Sequence, residues 1–166
     1  MFHSFYKSRK WALWAYGGGA LLIMLLWLQV QLTVAFNTWY GGFYDLFQKS
    51  GKFKDNRQEG IDQFIELLIG TEYIFNGFEG ALSFSVIVFP FIFLAAFTSW
   101  FTRIYALRWR EAMTFEFIPR WRTVEEEIEG ASQRIQEDCF RFARIVETLG
   151  LQIVRALMTL IAFVPI

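Results

Sequence analysis

Apolar positions along the chain gather into three long runs. Trp11 to Tyr44 carries no charge, and Trp11–Phe36 is a stretch of 26 mostly apolar residues. At ~1.5 Å per residue it makes about 39 Å of helix, more than the ~20 residues a hydrocarbon core requires. A second uncharged run covers Gly80–Thr102, with Pro90 near its middle, where a kink is expected. The third begins near Ile145 and is still apolar at Ile166, interrupted by Glu147 and Arg155. The pattern therefore predicts two complete spans, 11–36 and 80–102, and an incomplete one, 145–166. On this reading the 166 residues are a fragment or a truncated chain. Lys7, Arg9 and Lys10 precede the first run as they would in a secretory signal. The run is about twice the length of a signal core, however, and no small-residue cleavage site closes it.

Polar positions divide the remainder. Residues 37–79 form a long loop whose centre, Gly51–Gly60, is polar and turn-rich. Ile61, Phe64, Ile65 and Leu68 then recur at helical spacing up to Gly70, predicting a short amphipathic helix on the membrane face. Beyond Thr102 the helical pattern continues through Ile104, Leu107 and Met113 towards Pro119. Thr123 and Glu126 have capping-box spacing, Gly130 breaks the pattern, and a return helix starts at Ser132. Arg134 with Asp138 and Glu137 with Arg141 are opposite charges four residues apart. Two spans prolonged into an extension at 103–144 and joined by a short crossing element match the membrane helices of exporter-type ABC transporters. Within the first span, Gly17, Gly18 and Gly19 should let a neighbouring helix approach closely. At least one of Gln29 and Gln31 should face protein.

Composition agrees with a membrane chain and removes other classes. Hydrophobic residues make up 55% and aromatics 20%, too many for one small core to hide from water. Sixteen basic residues balance sixteen acidic ones, which gives no support to a nucleic-acid partner. His3 and Cys139 are the sole histidine and cysteine, so no disulfide framework, metal centre or nucleophile–histidine pair is expected. We expect no enzyme activity and no cofactor. Eight arginines lie between Arg103 and Arg144, whereas residues 45–79 carry seven acids. By the positive-inside rule the N-terminus and the arginine-rich extension are cytoplasmic, and the 37–79 loop is outside.

Five motifs then occur in order. Asn37, Trp39, Phe43, Tyr44 and Asp45 stand in the stretch FNTWYGGFYDLFQ. Arg108-Trp109-Arg110 is followed by Ala112 and Met113. Glu129, Gly130, Gln133, Arg134, Glu137 and Asp138 belong to EGASQRIQED, with Arg141 shortly after. Glu147 begins a segment resembling L-E-N-x-G, with Thr148 in place of the asparagine, and MTLIAF covers Met158–Phe163. Together these resemble the SbmA/BacA family of peptide transporters across nearly the whole chain. That resemblance implies an all-α membrane protein of the bacterial inner membrane. It implies ABC-exporter-type helices, a homodimer when full length, peptide substrates including antimicrobial ones, and uptake driven by the proton gradient.

A proton-coupled importer needs carboxylates in apolar surroundings, which favour the neutral form. Glu147 is the first candidate; Glu79, at the start of the second span, and Glu72 follow. For Glu147 the structural alternative is an ion pair with Arg144. Arg155 lies about 12 Å further along the helix on roughly the same face and is a candidate for lining a water-filled cavity. The motif residues are read as structural, with Asp45 capping a turn. The competing function is the membrane half of an ATP-driven ABC transporter whose ATPase lies beyond these residues. No G-x-x-x-x-G-K-[ST] occurs here.

Overall fold

A computed structural model describes residues 2–54, 57–70, 82–123 and 130–164. All regular structure among them is helical. Helix α1 is Phe2–Tyr6; a π-helical stretch, Leu13–Gly18, leads into α2, Gly19–Gln48. A 3₁₀ segment, Lys49–Lys54, precedes α3, Arg57–Ile69. Helix α4 is Phe84–Arg122. Helix α5, Ala131–Ile145, passes through a second π-helical stretch, Val146–Gly150, into α6, Leu151–Phe163.

Three stretches are long and apolar enough to cross a membrane: Leu13–Gly51, Phe84–Trp121 and Gln133–Phe163. The first two, 39 and 38 residues long, measure about 58 and 57 Å as helix. A hydrocarbon core is only about 30 Å thick, so each is longer than a perpendicular crossing needs. Leu13, Ile23, Phe89, Phe93 and Ile161 keep more than half their surface exposed, as lipid-facing side chains do.

The helices contribute to two compact units. One comprises Met1–Trp27 and Phe97–Thr159. Its core is aromatic. Phe5 is fully buried and stacks on Trp109, 5.3 Å between ring centres, while Tyr105 meets Phe5 edge-on at 5.4 Å. Buried Phe101, Tyr105, Trp109, Ala112 and Met113 recur three or four residues apart, so they form one stripe along α4. At Gly18 the first span comes close to that stripe. A Cβ there would stand 2.9 Å from the Tyr105 ring, so the glycine triplet does permit the expected close approach. The Tyr105 hydroxyl donates to the Ala15 carbonyl at 3.1 Å and lies 3.2 Å from the Tyr6 hydroxyl. The adjacent amide of Gly19 bonds to the Tyr16 carbonyl, whereas in a regular α-turn it would reach Ala15.

The second unit comprises Leu28–Ala96 and Leu160–Ile166. Gln29 is buried and its amide donates to the Leu94 carbonyl at 3.2 Å, while Gln31 is exposed. One glutamine of the pair therefore faces protein, as its polarity required.

Several local expectations change. The motif at 37–48 was expected to open a loop, yet it is the last part of α2. Phe36, Trp39, Tyr40, Phe43 and Phe47 stack along the helix there, and these contacts offset the helix-weakening Gly41 and Gly42. Gly60 lies inside α3 rather than in a turn. Thr123 closes α4, donating its hydroxyl to the Arg120 carbonyl at 2.7 Å; Glu126, its proposed capping partner, lies outside the described residues. Gly130 has φ 74° and is the N-cap of α5, a backbone conformation that glycine adopts at least cost.

Candidate functional site

The first unit holds two adjoining cavities that share a wall. The inner one, about 220 Å³, is lined by Tyr6, Gly19, Leu22, Leu26, Thr102, Tyr105, Trp109, Glu147, Gly150, Leu151 and Val154 among others. Apart from Glu147 its lining is apolar, aromatic or hydroxylic. Gly19 borders the first π-helical stretch, and Val146, Glu147 and Gly150 belong to the second. Single π turns inside α-helices are frequent at functional sites because the extra residue re-aims side chains. Here the second stretch lines the cavity, and the first ends one residue before Gly19, which lines it too.

The outer cavity, about 400 Å³, is lined by Arg103, Ala106, Leu107, Arg110, Phe140, Ala143, Arg144, Glu147 and Thr148. Its three arginines come from one face of α4, at positions seven apart, and from the last turn of α5. The guanidinium groups of Arg110 and Arg144 both approach the Phe140 ring, at 5.2 and 5.9 Å from its centre. Glu147 lines both cavities. It forms no ion pair within 4.0 Å among the described residues, so the pair with Arg144 expected as its structural alternative is not formed; Arg144 lies over Phe140.

The other candidate positions are placed as follows. Glu72, Glu79 and Glu129 lie outside the described residues. Arg155 is exposed on α6 and is not in the lining of either cavity; its neighbour Val154, seven residues from Glu147, is. Trp109 is the buried centre of the aromatic core, also touching Phe142 edge-on at 5.8 Å. Arg108 pairs with Glu111 at 2.9 Å and lies over the Trp14 ring. The RWR triplet thus spreads over three jobs: anchoring the first span, filling the core and charging the outer cavity. Arg141 pairs with Glu137 at 2.5 Å. Arg134 and Asp138 are exposed and make no such pair among the described residues. Gln133 is exposed on the first turn of α5.

In the second unit, Trp39 is buried and donates its indole N–H to the Leu67 carbonyl at 3.0 Å. It also packs against Phe43 and Phe84 at 5.2 and 5.0 Å. This motif ties α3 to the end of α2, and its Asn37, Tyr44 and Asp45 are exposed. Asp45 pairs with Lys49 at 3.8 Å instead of capping a turn. A cavity of about 700 Å³ between α2 and α3 is lined by Leu46, Phe47, Phe53, Arg57, Ile61 and Phe64. Among the described residues no group of three His, Cys, Asp or Glu is placed to hold a metal ion.

Sequence reasoning had singled out Glu147 and Arg110, but not Tyr105 or Arg103. The signal for Tyr105 was the repeat of Thr98, Thr102, Tyr105 and Trp109 at helical spacing, and that for Arg103 its place as the first charge after the uncharged run Gly80–Thr102. In a helix apolar on all sides, that stripe does not stand out.

Comparison with known proteins gives one finding. The family model described as the SbmA/BacA-like family matches residues 8–166, all but the first seven positions. Together with three helices able to cross a membrane, the match supports a multi-pass membrane transporter, and it does not favour the ATP-driven alternative.

Proposed function

The chain belongs to the SbmA/BacA-like family, and from that premise we propose that it supplies membrane helices to a peptide importer driven by the proton gradient. The proposal includes an inner-membrane location, a cytoplasmic N-terminus, ABC-exporter-type extensions at 103–144 and a homodimeric assembly. The observation that carries the reading is the position of Glu147. It stands in the wall between an apolar cavity and an arginine-lined one, on a π-helical turn. A small movement of Val146–Gly150 that changes which cavity Glu147 faces would couple proton uptake to helix rearrangement. Glu72 and Glu79 remain candidates for further proton sites, and Arg155 for an electrostatic partner.

The test is peptide uptake by the intact transporter in cells lacking their own importer. Collapsing the proton gradient should abolish uptake, and Glu147→Gln should reduce it to background while leaving membrane insertion unchanged. Uptake that persists without the gradient refutes proton drive. Full uptake by Glu147→Gln refutes the role given to Glu147.

A further inference from the structure

We propose that the outer cavity of the first unit binds the phosphate-bearing headgroup of an anionic phospholipid. Three guanidinium groups, from Arg103, Arg110 and Arg144, line one groove with a single carboxylate, Glu147. None of the three is in an ion pair within 4.0 Å among the described residues. Arg110 and Arg144 converge on one ring, Phe140. Like charges drawn to one side chain raise the local potential, and an anion between them removes that cost. Guanidinium is also the side-chain group best shaped to hold phosphate oxygens in pairs.

The chain's own pattern sets the depth of the groove. Arg103 is the first charge after the uncharged run Gly80–Thr102, and Arg144 and Glu147 are the last before the uncharged stretch Thr148–Val154, after which Arg155 is the one charge up to Ile166. Both walls therefore change from apolar to charged at this level, which is where a lipid headgroup lies. Leu107 and Phe140 line the groove while remaining 57% and 43% exposed, giving the glycerol and upper acyl carbons an apolar surface beside the cations. A soluble anion would use the charges and leave that surface in water. Basic pockets between membrane helices are known to select anionic headgroups. The inference does not depend on the transport reading, because its readout is binding.

The test uses the purified protein in a neutral detergent, following its thermal midpoint as phosphatidylglycerol is added. Phosphatidylglycerol should raise the midpoint, and phosphatidylcholine or inorganic phosphate at equal concentration should not. Arg103 is exposed, so Arg103→Gln should fold normally; it should raise the half-saturating phosphatidylglycerol concentration about fivefold. Arg103→Gln/Arg110→Gln should abolish the selective shift. Arg57→Gln, in the other unit, should leave it intact. Equal shifts with phosphatidylcholine overturn the proposal, as does an unchanged response in Arg103→Gln. A shift reproduced by inorganic phosphate alone assigns the groove to a soluble anion and overturns it too.

Discussion

Substituting Gly18 by alanine adds one methyl group at a close approach of the first span to α4. The new carbon would lie 2.9 Å from Cδ2 and 3.0 Å from Cε2 of Tyr105. Ordinary carbon–carbon contacts are about 3.5–4.0 Å, so ring and helix must separate by about 0.6 Å or more. The ring has little room to retreat, with Phe5 edge-on at 5.4 Å, Trp109 at 6.2 Å and its hydroxyl bonded to Ala15. Overpacking of this kind costs about 1–3 kcal/mol, and replacing a helical glycine by alanine returns up to about 1. A net loss of about 1–2 kcal/mol is expected. Gly41 is the control, since a Cβ there meets nothing within 4 Å and Gly41→Ala should be neutral or stabilising. The assay is unfolding in mixed micelles of rising denaturing-detergent fraction, read by tryptophan fluorescence. Tyr105→Leu should remove most of the Gly18→Ala penalty, giving a coupling energy of about 1 kcal/mol or more between the two sites. If Gly18→Ala stabilises as much as Gly41→Ala, or the penalty persists with Tyr105→Leu, the packing account fails.

Two further outcomes are expected. Trp39→Phe keeps a ring among Phe36, Phe43 and Phe84 but removes the donor to the Leu67 carbonyl, costing about 1 kcal/mol. Amide exchange within α3 should quicken while that in α4 beyond Phe97 stays unchanged; uniform quickening, or none, argues against a local tie. Gly130→Ala places a Cβ on a backbone with φ 74° and should cost about 1 kcal/mol, seen as faster exchange in the first turn of α5. Gly130→Asn should lose less, because asparagine tolerates this conformation better. Equal losses would show that φ is not the cause.

Much of the secondary structure was legible because lipid imposes a simple rule. A chain that crosses hydrocarbon must satisfy its own backbone hydrogen bonds, so a long uncharged run is a helix. Each of the three runs it marks overlaps a helix long and apolar enough to cross a membrane. It also permitted Gly17–Gly19 inside the first, although their helix propensity is poor. Boundaries were less legible. The apolar run ends at Phe36, yet α2 continues to Gln48. Stacked aromatic side chains sustain it there, and hydrophobic periodicity does not register such contacts. The site was half legible. Glu147 stands out in sequence because a carboxylate within apolar surroundings is costly. Tyr105 does not, because one tyrosine among many aromatics carries no mark of the glycine opposite it.

Local composition makes the chain helical, suits three of its stretches to a bilayer and marks the carboxylate that interrupts the third. Those follow from local composition measured against a solvent of fixed thickness. Helix packing brings Arg103, Arg110 and Arg144 to one groove, sets Glu147 between that groove and an apolar cavity, and rests Tyr105 on Gly18. Those facts depend on the rotation of one helix about its axis relative to its neighbour. A helix apolar all round leaves that rotation unmarked in its own residues, and packing fixes it through the few small or aromatic positions that fit.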